Sequence, residues 1–127
     1  MAFHKFFKSI GEGREISVFG DGRQTRDFTY IDDIVGANIA AMTLARPGET
    51  YNIGGGRREA LINLFPLMED ITGRKVRIVF RDKEKGDMTD TFADIGKARR
   101  ELDYVSQTPL RQGLRAEWDW VREIYGF

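Results

Sequence analysis

The sequence predicts an α/β fold in which helices alternate with short strands bounded by glycines. Two observations carry that reading. Phe3, Phe6, Phe7 and Ile10 recur at helical spacing, and so do Leu114, Trp118, Val121 and Tyr125 near the other end. Between such stretches, "EISVF" and "KVRIVF" are brief runs of β-branched and aromatic residues, each flanked by turn-forming or charged residues.

The first helix is expected to stop at Gly11 and Gly13, and "EISVF" follows as a strand. "GDG" makes a turn, and "RDFTY" reads as a second short extended segment. Asp32 and Asp33 are N-cap candidates for the next helix, "IVGANIAAMTLA", which carries no charge before Arg46. A helix apolar nearly all round expects cover on more than one face. "ETYNIGGG" reads as a strand entering a glycine turn. Leu61, Leu64, Phe65 and Met68 mark a third helix closed by Gly73, and "KVRIVF" is the next strand. Residues 81–93 are polar and loop-like. Asp94 is placed to cap a short helix with Ile95, Ala98 and Leu102, and Thr108 with Pro109 opens the last helix. There is no internal repeat, linker or low-complexity tract.

Composition removes several classes of function. Lys+Arg and Asp+Glu both number 20, so no basic excess points to nucleic acid or an anionic membrane. With no cysteine there is neither a disulfide framework nor thiolate chemistry. His4, the single histidine, reads as a surface or half-buried residue, and one histidine argues against a zinc site or a Ser-His-Asp triad. The N-terminal stretch is broken by Lys5 and Lys8 and does not read as a signal peptide. No run is long enough to cross a bilayer. The expectation is a soluble, cytoplasmic domain without metal.

Candidate chemistry is sparse. A dinucleotide site needs glycines spaced for a tight turn and for close approach of backbone to pyrophosphate. "GDGRQT" and "GGGRRE" both miss that spacing at the last position and read as turns. A tyrosine activated by a lysine four residues on is also missing: Tyr30, Tyr51 and Tyr104 are followed there by Ile34, Gly55 and Thr108. Asp87, Asp90 and Asp94 read as loop carboxylates. What remains is an anion-recognition set. Arg26 offers a planar fork to a phosphate, or equally a salt bridge to a nearby aspartate. Phe19 can pack on a flat base, and Asn52 and Asp87 can hydrogen-bond sugar or phosphate oxygens.

"VFGDGRQTRDFTYIDDIVGANIAA", "YNIGGG" and "KGDMTDTFADIGKARRELDY", closed by a Trp-containing helix, resemble the C-terminal part of nucleotide-sugar epimerases and dehydratases, the extended short-chain dehydrogenase/reductases. UDP-glucuronate 4-epimerase-like and UDP-glucose 4-epimerase-like members are the most similar, and the resemblance spans essentially the whole chain. It implies a small C-terminal domain, residues 1–127, lacking the Rossmann domain that binds NAD and carries Tyr-x-x-x-Lys. The chain would then hold no cofactor and no catalytic residue of its own.

By the same resemblance, Phe19 and the backbone around Ser17 would lie against the base, and Arg26 would hold the diphosphate. Asn52 would face the nucleotide, and Asp87 the ribose or its neighbours. Several members carry an arginine three residues before that aspartate. Here Glu84 stands there, between Lys83 and Lys85. The resemblance implies a fragment, the substrate-binding part of an NAD-dependent enzyme; the alternative is a stand-alone binding module that kept the fold and lost catalysis. An open strand edge and an apolar helix without their usual neighbour lead us to expect a homodimer or domain-swapped assembly.

Overall fold

A computed structural model describes residues 2–83, 86 and 88–127. Asp87 and Glu84, both singled out above, lie outside the described residues. Five helices and four short strands follow in the order α1 (Ala2–Gly11), β1 (Ile16–Phe19), β2 (Thr25–Arg26), α2 (Ile31–Leu44), β3 (Glu59–Ala60), α3 (Leu61–Thr72), β4 (Ile78–Arg81), α4 (Gly96–Leu102) and α5 (Leu110–Tyr125). They fall into two compact units, one of residues 1–24, 60–89 and 111–127, the other of residues 25–59 and 90–110.

In the first unit the helical spacing read from the sequence becomes a core. Phe7 and Ile10 of α1, Leu64, Phe65, Met68 and Ile71 of α3, and Leu114, Trp118 and Val121 of α5 are all buried. The Phe7 and Trp118 rings lie 5.7 Å apart, and those of Phe6 and Phe65 5.8 Å. Fully burying such side chains contributes about 1.5–3 kcal/mol each. α3 ends at Gly73, whose φ of 67° is the left-handed conformation that glycine adopts at least cost. β1 and β4 form a parallel pair with Ile16 opposite Ile78 and Phe19 opposite Arg81. Ile16 and Val18 point into the core, which leaves Ser17 and Phe19 on the other face.

The second unit is built around α2 and α4. Ala37, Ile95, Ala98, Leu102 and Tyr104 form its buried cluster, bordered by Ala40, Ala41, Tyr51 and Ile53. Small side chains on α2 let α4 pack closely there. Within this unit the expected cover on several faces of α2 is not met: Ile31, Val35, Ile39 and Met42 are exposed, Met42 at 85%. They recur along one side of the helix as a continuous apolar stripe.

Three readings from the sequence need correction. Residues 51–55, expected as part of a strand, are not in one; among the described residues no strand pairs with them. Of "RDFTY", only Arg26 belongs to a strand, β2, which pairs with the two-residue β3. Asp33 does not cap α2. The helix begins at Ile31 with Tyr30 at the cap position, so Asp33 falls in the first turn and is 9% exposed. Its carboxylate instead accepts hydrogen bonds from the Ser106 hydroxyl (2.7 Å), the Thr108 hydroxyl (3.0 Å) and the Thr108 N–H (3.2 Å). The last helix accordingly starts at Leu110, with the Thr108 hydroxyl turned to Asp33.

Burial alone would raise the Asp33 pKa, but the donors from Ser106 and Thr108 outweigh it and hold the carboxyl below its ordinary value of 3.8. A carboxylate with a depressed folded-state pKa supplies stability that is present above its unfolded pKa and lost as pH falls through the folded one. Asp33→Ala should therefore cost about 1–3 kcal/mol in urea unfolding at pH 7, the scale for buried donors left unpaired. That difference from the parent chain should shrink as pH is lowered below 3.8. A gap that stays constant from neutral pH into acid would contradict this role for the carboxylate.

Candidate functional site

In the first unit, the candidate surface is the outward face of the β1–β4 pair. β1 alternates buried and exposed residues, so Ser17 and Phe19 stand side by side on the solvent face, with the Phe19 ring 40% exposed. The ladder bonds that continue past the strands, Ile16 N–H to the Arg77 carbonyl (2.8 Å) and Gly20 N–H to the Arg81 carbonyl (2.9 Å), fix the backbone on both sides of this pair. An aromatic ring on so short and well-bonded a strand is a flat apolar platform open to a planar group.

In the second unit, Arg26 is half-buried, and its guanidinium donates to the Thr25 carbonyl at 2.8 Å. Its neighbour Asp27, to which the sequence drew no notice, organises the segments around it. One carboxylate oxygen accepts the Gly55 N–H at 2.7 Å, and the other accepts the Ala93 N–H at 3.4 Å. The glycines of "YNIGGG" are required by this arrangement. A Cβ on Gly54 would lie 2.6 Å from the Asp27 carboxylate, and one on Gly55 would lie 2.5 Å from the Phe28 carbonyl. From the opposite side the Tyr104 hydroxyl donates to the Gly54 carbonyl at 2.8 Å. Burial, and then the charges of Asp33 and Asp27, push the Tyr104 phenol above its ordinary pKa, so it remains a neutral donor.

Asn52 is exposed and lines an open cleft of about 480 Å³ with Asp27, Tyr51, Phe92 and Asp94. Asp94, expected as the cap of α4, lies one residue before its N-cap position, Ile95, and accepts the Gly96 N–H at 2.9 Å from there. Phe92 carries the Arg58 guanidinium over its ring, 5.1 Å from the centroid. The structure thus brings Ser17 and Phe19 together in one unit, and sets Arg26 and Asn52 in the other.

In each glycine turn one backbone N–H is already committed. Pyrophosphate recognition needs free backbone N–H groups at the turn, whereas the Gly20 N–H is bonded to Arg81 and the Gly55 N–H to Asp27. His4 is half-buried, with Nε2 3.1 Å from the Tyr125 hydroxyl and its ring 5.4 Å from that of Trp120, a packing role between α1 and α5. Among the described residues, no helix is long and apolar enough to cross a membrane.

Known proteins bear on these surfaces. Residues 1–54 match the model of the NAD dependent epimerase/dehydratase family. The chain is 43% identical to an uncharacterized UDP-glucose epimerase, YtcB, of Bacillus subtilis, over 98% of its own length and 40% of the relative's. It is 36% identical to a UDP-glucuronate 4-epimerase of Thermodesulfobacterium geofontis, over 97% of its length and 38% of that enzyme's. Among solved structures, the UDP-glucuronic acid 4-epimerase of Bacillus cereus, in complex with UDP-glucuronic acid and NAD, superposes with a TM-score of 0.93 at 38% identity. The match covers 98% of this chain and 40% of that one. The UDP-glucose 4-epimerase of Thermotoga maritima with UDP-glucose gives 0.91 at 33% identity, covering 98% of this chain and 40% of that one. The chain thus spans about 40% of the length of the relatives it matches, in their C-terminal portion.

The packing around Asp27 makes a direct prediction. Gly55→Ala should lower the thermal midpoint and cost more than about 1 kcal/mol, since the neighbours its Cβ meets are a backbone carbonyl and a bonded carboxylate rather than a yielding side chain. Gly48→Ala serves as a comparison, because its Cβ meets nothing within 4 Å and only its positive φ opposes it. Gly55 itself carries no positive φ, so a loss at 55 no greater than that at 48 would show that the Asp27 and Phe28 contacts do not account for the glycine there.

Proposed function

We propose, from its homology to the C-terminal portion of the NAD dependent epimerase/dehydratase family, that the chain is the nucleotide-sugar-binding part of a UDP-sugar epimerase and does not turn over substrate by itself. The observation that carries the reading is the superposition of nearly the whole chain on enzymes held with UDP-sugars. The exposed Phe19 ring supports it on this chain's own terms, since it offers a pyrimidine an apolar face beside the backbone of Ser17.

Arg26, through its planar fork, holds the diphosphate. Asn52 supplies amide hydrogen bonds on the nucleotide side, and Asp87 reaches the ribose or its neighbours. The proton- and hydride-transfer groups belong with the rest of the enzyme, because these 127 residues contain neither a dinucleotide glycine spacing nor a Tyr-x-x-x-Lys pair. NAD, when bound to the complete enzyme, supplies the hydride acceptor and donor; the residues of this chain orient the sugar nucleotide.

The exposed stripe of Ile31, Val35, Ile39 and Met42 on α2 supports a second element of the proposal, that the isolated chain pairs with another copy as a homodimer or domain-swapped assembly. A monomeric mass by light scattering at tens of micromolar would remove it.

Calorimetric titration with UDP and with UDP-glucuronate should show binding of both, with none for NAD. Arg26→Ala should cost about 2–4 kcal/mol of UDP affinity, the scale for losing a charge-assisted contact. An unchanged dissociation constant in that variant would reject Arg26 as the diphosphate group, and NAD binding by the parent chain would reject the division of labour.

A further inference from the structure

The register of the β1–β4 pair places an arginine where the sequence gives no reason to look for one. Phe19 and Arg81 are direct partners across the parallel ladder, and so are Ser17 and Val79. Direct partners in a ladder share a face and stand about 4.8 Å apart, the inter-strand spacing. The solvent face of the pair therefore carries Ser17, Phe19, Val79 and Arg81 together. Arg81 is exposed, its carbonyl is fixed by the Gly20 N–H at 2.9 Å, and among the described residues no carboxylate pairs with it.

Among the described residues, neither Asp82, which follows it in sequence, nor Asp21 forms an ion pair with it. Asp21, in the turn that follows β1, is engaged by Arg23, through the backbone N–H at 2.9 Å and the guanidinium at 3.8 Å. Lys83 stands beside Gly20, its Cβ 3.9 Å from where a glycine Cβ would be, and donates to the Thr89 hydroxyl at 3.2 Å. Among the described residues, the rim next to Phe19 thus carries Lys83, engaged by Thr89, and Arg81, with which no carboxylate pairs, followed in sequence by Asp82. A flat ring flanked by a guanidinium suits a ligand that joins a planar base to a negative group.

We propose that Arg81 is an anion-binding residue of this surface, holding a phosphate of a pyrimidine nucleotide whose base lies on Phe19. The assignment rests on the nucleotide-sugar reading above and adds to it a residue supplied by strand pairing. Arg81 provides a cation for that phosphate from the strand paired with the one that carries Phe19.

The test titrates the 127-residue chain with UDP and with uridine, which keeps the base and lacks the charge. Arg81→Gln should weaken UDP at least about tenfold, the scale of a lost charge-assisted contact, and leave uridine unchanged. Phe19→Ala should weaken both ligands, and thermal melts verify that both variants fold. If Arg81→Gln leaves UDP binding intact while Phe19→Ala abolishes it, the Arg81 assignment is wrong and the nucleotide reading stands. If Arg81→Gln weakens UDP and uridine equally, Arg81 acts through the base or through packing, and the assignment fails. A parent chain that binds neither ligand overturns both proposals.

Discussion

The Asp27 carboxylate is the constraint on which the second unit depends. It sits between segments far apart in sequence and accepts a backbone N–H from each, Gly55 on one side and Ala93 on the other. Such bonds matter less for their net energy than for what their loss would leave behind, because an unpaired buried donor or acceptor costs about 1–3 kcal/mol. The position of Asp27 then dictates side chains elsewhere. Gly54 and Gly55 must be glycine because the carboxylate and the Phe28 carbonyl occupy the space of their Cβ atoms. Tyr104 closes the turn from the other side. Arg26 and Asn52 are neighbours in sequence or space of this one group, so their placement follows from it.

How much of this could be read in advance depended on range. α1, α3 and α5 were legible because their buried residues repeat every three to four positions, a signal contained within one element. Gly73 was legible for the same reason: it acts on the helix end adjacent to it. Asp33 was misread because its partners, Ser106 and Thr108, lie more than seventy residues away, and nothing local separates a capping aspartate from a buried clamp. Residues 51–55 have the composition of a strand, but strand formation also needs an edge to pair with.

The candidate site divides in the same manner. Phe19 and Arg26 stood out by residue type and by the company they keep in "VFGDGRQTR". Asp27 did not, since an aspartate in a loop is ordinary until the N–H groups that donate to it are counted. Arg81 could not, because its significance lies in register: shifting β4 by one residue would turn Arg81 to the opposite face and bring Asp82 beside Phe19 in its place. Pairing, not composition, decides which charge accompanies the ring.

The glycine turns show why a family resemblance must be tested residue by residue. Glycine-rich turns before helices invite a phosphate-binding reading, because a bare backbone presents N–H groups to an anion. Here one such group in each turn is already spent, the Gly20 N–H on the Arg81 carbonyl and the Gly55 N–H on Asp27. In the proposed reading, anion recognition is left to side chains, to guanidinium forks rather than backbone cradles. The distinction has a thermodynamic consequence. Exposed guanidinium groups on flexible stems must be ordered when they bind, so part of each contact is offset by lost rotamer freedom. A rigid ladder that presents Arg81 next to Phe19 reduces that loss by fixing where the stem begins. The same bonds that complete the small sheet thus engage the Gly20 N–H and set an arginine beside the aromatic ring.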